Sequence, residues 1–143
     1  MASIRAATAA DAGDLAVLCG QLGYPADPAT VARRLADIAE CRSGAVLVAE
    51  ADDGAVVGWA EASLQRHLVH DPRVMLAGLV VAEGARNQGV GVALLGAVEA
   101  WSREQGAAEL IVRSNIVRER AHRFYLREGF AEKKRQALFL KPL

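Results

Sequence analysis

The apolar residues of this chain recur at helical spacing in some segments and form extended runs in others, which separates helices from strands. Leu15 and Leu18 share one face of an amphipathic helix, whereas the nearly unbroken apolar run from Val74 to Val81 is typical of a strand buried on both faces. The elements predicted up to residue 81 are a strand at 3–6, helices at 9–22 and 28–41, and strands at 44–50, 55–64 and 74–81.

Helices and strands continue to alternate in the second half of the chain. The elements predicted there are a helix at 90–104, a central strand at 110–112, a helix at 118–128, and antiparallel strands at 130–135 and 137–140. The polar segment 65–72 is predicted to be a loop. The order β-α-α-β-β-β-α-β-α-β-β indicates an α/β fold with a mixed sheet and helices on both faces. Because no repeat or linker interrupts this order, we predict a single domain over residues 1–143.

A glycine-containing loop joins the fourth predicted strand to the third helix. Gly89 and Gly91 let the backbone approach a ligand closely, and the unpaired N–H groups of the first helical turn attract anions, above all phosphate. Arg86 adds a guanidinium just before the glycines. The loop is therefore predicted to hold a pyrophosphate group, and a glycine-rich turn without a ligand is the alternative.

The spacing of the glycines excludes two common phosphate-binding motifs. A Walker loop requires Gly-x-x-x-x-Gly-Lys-Ser/Thr, but Val90 and Gly91 stand where the last two residues are needed. A dinucleotide fingerprint requires Gly-x-Gly-x-x-Gly, but Leu94 replaces its third glycine. What remains is Arg86-x-x-Gly89-x-Gly91, placed after a strand and before a helix.

Composition narrows the classes of function. Lys+Arg and Asp+Glu both number 17, so the formal net charge is zero and no basic field predicts nucleic-acid binding. Cys19 and Cys41 lack metal-binding spacing, so no metal site is predicted. The sequence contains neither a secretory signal nor a run of about 18 apolar residues. We therefore expect a cytoplasmic protein that does not associate with membranes.

The motif Arg86-x-x-Gly89-x-Gly91 resembles the acetyl-CoA motif of the GNAT N-acetyltransferase superfamily. A second stretch resembles the family's Asn-(x)n-Ala-x-x-Phe-Tyr-x-x-x-Gly-Phe pattern, through Asn115, Ala121, Phe124, Tyr125, Gly129 and Phe130. The predicted order of elements also matches the GNAT fold, in which strands four and five splay apart to admit acetyl-CoA. The resemblance thus covers nearly the whole chain.

The resemblance implies acetyl-CoA as cosubstrate. Backbone groups at residues 79–81, freed by the splayed strands, would pair with the amides of pantetheine, and N–H groups at 86–91 would hold the pyrophosphate. Asn115 would bond the pantetheine arm or, alternatively, act as a turn residue. The implied cofactor-binding residues are Leu79, Val80, Val81, Arg86, Asn87, Gln88, Gly89, Val90, Gly91, Asn115 and Tyr125.

The resemblance also implies that a primary amine attacks the acetyl thioester directly in a ternary complex. Tyr125 would donate a hydrogen bond or a proton to the leaving thiolate, and the N–H of Val81 would stabilise the oxyanion. The family's usual glutamate in strand four is missing from residues 74–79, so the general base stays open. Glu61, which alternates with Trp59 on one face of strand three, is the best substitute.

The acceptor and the assembly state are also open at this level. The acceptor could be a small-molecule amine or a peptide amine, and no long acidic insert marks a site for polyamines or aminoglycosides. A non-catalytic acyl-CoA-binding module is the alternative function, and a structural partner domain is a weaker third. The apolar run 137–140 would form an exposed strand edge that is prone to aggregation. A homodimer through the terminal strands would cover this edge. His67, His70 and Asp71 are weaker candidates for catalysis than Glu61.

Overall fold

A five-stranded mixed sheet organises the residues up to 113. The structure, a computed structural model, describes residues 2–143. The strands lie side by side in chain order, and all neighbours are antiparallel except the last two, which are parallel. They are β1 (Ser3–Ala6), β2 (Gly44–Glu50), β3 (Val56–His67), β4 (His70–Val81) and β5 (Leu110–Val112).

Besides these strands, residues 2–143 form four α-helices. They are α1 (Ala12–Leu22), α2 (Pro28–Glu40), α3 (Val90–Glu104) and α4 (Glu119–Arg127), and a 3-10 turn at Ala9–Asp11 precedes α1. The chain divides into two compact units, one up to residue 113 and one over 114–143, and α4 belongs to the second. The mixed α/β class is confirmed, whereas the single domain over 1–143 stays a prediction.

The start of α2 shows how local sequence sets a helix boundary. Asp27 adopts an extended backbone, and its Oδ1 accepts a hydrogen bond of 2.7 Å from the N–H of Thr30. Pro28 occupies the first helical position, where its missing N–H costs nothing. The predicted start of this helix at residue 28 is therefore confirmed.

A partly buried ion pair ties β1 to the turn before α1. The guanidinium of Arg5 donates two hydrogen bonds of 2.9 Å to the carboxylate of Asp11, which is only 5% exposed. Arg5 also bonds Glu50 on β2 through Nε, at 2.7 Å, while the N–H of Thr8 donates to Asp11 at 2.7 Å. Arg5 therefore holds the first strand, the second strand and the helix start together.

The two faces of the sheet bury different side chains. On one face, Val48, Trp59 and Val80 form a core cluster with Leu15 and Leu18 of α1. The opposite face carries α3, whose Leu94, Leu95 and Val98 are fully buried. Gly58 makes room for this helix, because a Cβ there would lie 3.1 Å from Leu94 Cδ1 and 2.9 Å from the carbonyl oxygen of Val80. The face of the sheet that packs against α1 also carries the candidate site.

The segment 65–72 was predicted to be a loop, and this is wrong. β3 and β4 continue to His67 and His70, so that only Leu68 and Val69 form the turn. Gln65 pairs with Arg73 in the ladder, and the rings of His67 and His70 lie 4.7 Å apart. Polar side chains are compatible with a strand here, since the hairpin end is largely exposed and backbone pairing does not require apolar side chains.

The two predicted strands at 130–135 and 137–140 are also wrong, because the described structure has no strand after α4. A strand forms only where its N–H and C=O groups pair with a neighbour, and residues 131–143 make no backbone–backbone hydrogen bond. In consequence β5, predicted to be central, lies at the edge of the sheet.

Candidate functional site

The strands β4 and β5 separate midway along the sheet. Their pairing is confined to Val74–Leu76 against Leu110–Val112. Beyond Leu76, β4 keeps β3 on one side, but its other edge has no backbone partner among the described residues from Ala77 to Val81. This confirms the splayed strands that the resemblance to the GNAT superfamily implied. An extended ligand with amide groups can add to such an edge as a strand does.

A β-bulge lies at the point where the strands part. Glu61 pairs with Gly78 and Ala62 pairs with Leu76, so Ala77 is the extra residue on β4. A bulge bends the strand and re-aims the residues that follow it. The bulge lies just before residues 79–81, where the resemblance implied pantetheine binding.

The loop after β4 leaves a set of N–H groups unpaired. A 3-10 turn at Glu83–Ala85 leads to Asn87 with φ 64° and to Gly89 with φ 79°, which is the N-cap of α3. The N–H groups of residues 87–89 have no backbone acceptor in the part of the chain that the structure describes. Those of the first turn of α3, beginning at Val90, add further free donors and the positive end of the helix dipole. The loop can hold an anion as predicted.

Neighbouring side chains fix this loop in place. The N–H of Glu83 donates to Oε1 of Gln21 on α1 at 3.2 Å, and Nε2 of Gln88 donates to the carbonyl oxygen of Gly84 at 3.4 Å. Ala85 and Val90 are buried on either side of the exposed segment 87–89. Arg86 is half-buried and has no ion-pair partner among residues 2–143. Its guanidinium is free to bind phosphate oxygens.

Glu61 lies on the α1 side of the sheet, directly across from Gly78. Its carboxylate makes no hydrogen bond or ion pair within residues 2–143, and burial raises its pKa. Burial raises the pKa of the Cys19 thiol on α1. Arg34 lowers this pKa, and the Glu61 carboxylate raises it. Glu61 is thus a half-buried carboxylate on β3, opposite Gly78 of β4 and close to α1. Cys19 packs against the core cluster.

The contact between Trp59 and Gly78 was not found by sequence reasoning. Trp59 is 8% exposed, its ring lies against Gly78, and its buried Nε1 has no hydrogen-bond partner among the described residues. A glycine inside an apolar strand often marks a bulge or a close approach, so Gly78 was the signal available for both features. Trp59 thus packs across β3 and β4, on the same face of the sheet as Glu61.

The second unit carries the other predicted site residues. Oδ1 of Asn115 accepts a hydrogen bond of 3.2 Å from the N–H of Val117, and its carbonyl oxygen accepts one of 3.0 Å from Arg118. Asn115 therefore forms the turn before α4, while its side-chain NH₂ group stays available. In the described structure, the contacts of Asn115 are those of a turn residue.

Tyr125 lies on α4 in an aromatic cluster of the second unit. Its ring centroid is 5.5 Å from those of Phe124 and Phe130, both in edge-to-face geometry. Burial raises the pKa of the phenol, and Arg118 opposes this shift. The hydroxyl is therefore protonated at neutral pH and can donate a hydrogen bond or a proton.

Residues 2–143 contain neither a cluster of metal-ligating side chains nor a helix suited to span a membrane. No group of three or more His, Cys, Asp or Glu side chains there could hold a metal ion. None of the helices described is both long enough and apolar enough to cross a membrane.

Comparison with known proteins relates this arrangement to one family. The model of the acetyltransferase (GNAT) family matches residues 14–130. Aminoglycoside N(6')-acetyltransferase type 1 of Stenotrophomonas maltophilia is 37% identical over 145 residues, which cover 99% of this chain and 94% of that protein. The protein of the same name from Klebsiella aerogenes is also 37% identical, over 71% of this chain and 69% of its own length.

A solved structure shows the same fold. Aminoglycoside N-acetyltransferase AAC(6')-Iy in complex with CoA superposes with a TM-score of 0.88, covering 100% of this chain and 96% of that one at 24% identity.

Proposed function

Because the chain belongs to the acetyltransferase (GNAT) family and is an acetyl-CoA-dependent N-acetyltransferase, we propose that its acceptor is an aminoglycoside, a small molecule with several ammonium groups. The relative from Stenotrophomonas maltophilia, 37% identical over nearly the whole chain, motivates this class of acceptor. The observation that carries the proposal is Glu61, a half-buried carboxylate without a cationic partner among residues 2–143. An ammonium group is the natural counterion for such a carboxylate.

Glu61 would have two roles toward the acceptor amine. An alkyl amine with a pKa near about 10.4 is mostly protonated at neutral pH and cannot attack in that form. Glu61 would bind the ammonium group and then take its proton, directly or through a water molecule. Burial raises the pKa of Glu61, which makes the carboxylate a stronger base than an exposed glutamate.

Acetyl-CoA would be held by the backbone of β4 and of the loop. The free edge at Leu79–Val81 would pair with the pantetheine amides. The N–H groups from Asn87 to Gly91, together with the guanidinium of Arg86, would bind the pyrophosphate. Asn115 would contribute its free NH₂ group to the pantetheine arm.

In the proposed reaction, the acetyl group moves from the thioester sulfur to the amine nitrogen. The amine nitrogen forms a bond to the thioester carbonyl carbon, the C–S bond breaks, and the electron pair leaves with sulfur. The N–H of Val81 would stabilise the oxyanion formed on the way. Tyr125 would donate a hydrogen bond or a proton to the leaving thiolate, and Glu61 would hold the proton lost by the amine.

The experiment is an assay of CoA release with purified protein, acetyl-CoA and a panel of acceptors. The panel consists of an aminoglycoside with a free 6'-amine, the same compound already acetylated at that amine, aminoethylphosphonate, and a short peptide with a free N-terminus. We expect turnover with the first compound and a loss of at least about 100-fold in kcat/KM with the second. Preference for the phosphonate or the peptide would overturn the proposed acceptor while leaving acetyl transfer intact.

A matched pair of variants tests the role of Glu61 in the same assay. Glu61→Gln should lower kcat by about 10²–10⁴-fold, because it removes the base without changing the shape of the side chain. Glu104→Gln, an exposed glutamate at the end of α3, should leave kcat unchanged. Equal activity of the two variants would exclude Glu61 as the base.

We further propose that the protein is a homodimer and works in the cytoplasm as one catalytic domain over 1–143. Apolar residues at the C-terminus that lie open to solvent support the dimer, and the free thiols of Cys19 and Cys41 are consistent with a reducing compartment. Light scattering on the purified protein measures the assembly state.

A further inference from the structure

A buried hydrogen-bond donor lies beside the proposed base. Trp59 is 8% exposed, and its Nε1 is buried without a hydrogen-bond partner among residues 2–143. Buried N–H groups are almost always paired, because a donor that is removed from water and left unpaired costs free energy. The indole N–H of Trp59 therefore requires an acceptor that the described contacts do not provide.

The register between β3 and β4 places the indole ring next to Glu61. Trp59 pairs with Val80, and two residues further along β3 Glu61 pairs with Gly78. A Cβ at residue 78 would lie 2.6 Å from Cζ3 and 2.7 Å from Cη2 of the indole, so the ring extends diagonally toward the residue opposite Glu61. Residues 59 and 61 face the same side of the sheet, about 6.6 Å apart along the strand. Aromatic and long side chains reach one another over such a distance.

The carboxylate of Glu61 is the complementary acceptor. It is half-buried and makes no hydrogen bond or ion pair within residues 2–143. Cys19 of α1 interacts electrostatically with both Glu61 and Arg34 of α2, but neither Cys19 nor Arg34 is hydrogen-bonded to the carboxylate in the part of the chain that the structure describes. Gly78 and Val80, which stand opposite on β4, carry no charge. One unpaired donor and one unpaired acceptor thus lie side by side.

We propose that the indole N–H of Trp59 donates a hydrogen bond to the ionised carboxylate of Glu61 and thereby positions it as the base of acetyl transfer. This inference rests on the role of Glu61 in the proposed function and makes Trp59 a positioning residue. Because no hydrogen bond or ion pair holds the carboxylate, it is free to turn toward the N–H. A hydrogen bond to the charged form of a carboxylate favours that form and opposes the effect of burial. The donor therefore keeps Glu61 ionised and able to accept a proton from the ammonium group.

Nuclear magnetic resonance of the indole groups tests this contact without any acceptor. The chain has two tryptophans, so a proton–nitrogen correlation spectrum contains two indole signals, and Trp101→Phe assigns them. Trp101 belongs to α3, on the opposite face of the sheet, and is the internal control. The Trp59 signal should shift as Glu61 titrates, the shift should disappear in Glu61→Gln, and the Trp101 signal should stay constant. A Trp59 signal that does not respond to pH, or that responds equally in Glu61→Gln, would overturn the contact.

The pH dependence of kcat/KM tests the consequence for the base. Trp59→Phe keeps an aromatic ring but lacks the N–H, so the acidic limb of the profile should move to higher pH by about one unit. Trp101→Phe should leave the profile of the parent protein unchanged. An acidic limb that stays in place in Trp59→Phe would overturn the positioning role, even if kcat were lower, because lost packing alone does not move that limb.

The two measurements separate this inference from the proposed function. The indole titration needs no acceptor, and the pH profile is measured with whichever amine of the acceptor panel turns over. A different acceptor would therefore overturn the aminoglycoside proposal and leave the contact between Trp59 and Glu61 in place. If Trp59→Phe does not fold, the titration of the parent protein and of Glu61→Gln decides the contact.

Discussion

The indole ring of Trp59 lies so close to Gly78 that a Cβ at residue 78 would approach its Cζ3 to 2.6 Å. Since Trp59 is buried in the core cluster, the ring has no free direction in which to move. Gly78→Ala should therefore destabilise the protein by about 1–3 kcal/mol, the range for overpacking a core. Urea unfolding measures the change. Gly84→Ala is the control, because no atom lies within 4 Å of that position, and equal stabilities of the two variants would contradict the close contact.

Gly89 at the N-cap of α3 has φ 79°, a conformation that L side chains rarely adopt. Gly89→Ala should cost about 1–2 kcal/mol of stability and raise the KM for acetyl-CoA, since it would disturb the N–H groups proposed to bind the pyrophosphate. Gly96→Ala, within α3 and with nothing within 4 Å, should instead stabilise the protein by about 0.5–1 kcal/mol. Chemical denaturation and initial-rate kinetics measure the two effects. An unchanged KM would argue against the loop as the phosphate site.

Burial raises the pKa of Glu61, so the folded protein binds this proton more tightly than the unfolded chain does. The stability that this proton contributes is present below the unfolded pKa of about 4.3 and is lost as the pH rises through the folded pKa. Glu61→Gln stays neutral at every pH. The unfolding free energy of Glu61→Gln minus that of the parent protein should therefore be smallest near pH 4 and increase toward pH 7. The activity of this variant is lost at the same time. A difference that does not depend on pH would show that Glu61 is not desolvated; Glu104→Gln provides the flat reference.

The Arg5 guanidinium lowers the pKa of Asp11, with further help from the N–H of Thr8, against the effect of burial. The stability gained from ionised Asp11 is present above its unfolded pKa of about 3.9 and is lost as the pH falls through the lower folded pKa. Asp11→Asn should cost about 1–3 kcal/mol at pH 7, and the cost should decrease in acid. Thermal unfolding between pH 2.5 and 7 provides the measurement. Asp14→Asn, at an exposed position of α1, should show little change at any pH.

The phenol of Tyr125 keeps its proton because burial raises its pKa. If it donates that proton to the leaving thiolate, Tyr125→Phe should lower kcat by about 10²-fold or more and leave the affinity for CoA nearly unchanged. Steady-state kinetics at saturating acceptor and calorimetry with CoA separate the two quantities. Tyr24→Phe is the matched control, since Tyr24 is 71% exposed. Equal kcat values for the two phenylalanine variants would remove Tyr125 from the mechanism.

Periodicity and local capping could predict most of the elements, because each depends on residues close together in the chain. The start of α2 at Asp27-Pro28 and the helix after Gly89 are examples. The bulge at Ala77 and the contact of Trp59 with Gly78 could not be predicted, because both arise from the register between two strands. The prediction of two strands after α4 is wrong for a related reason. Apolar alternation indicates that a segment can pair, but it does not provide the partner.

The same distinction applies to the candidate site. The glycine loop could be located from its sequence because the loop and the start of α3 are contiguous. The position of Glu61 opposite Gly78 required the ladder between β3 and β4. That Glu61 is half-buried and unpaired within residues 2–143 required the packing of α1 as well.

The unpaired edge of β4 from Ala77 to Val81 has a consequence for handling the protein. An open strand edge is a template for pairing with other chains, and here it lies on a largely apolar strand. A pantetheine arm bonded along this edge would block that template in the way that a neighbouring strand does elsewhere. We therefore expect the cosubstrate to act as a solubilising cap, so that the protein stored without CoA forms sheet-rich aggregates sooner than the protein stored with it.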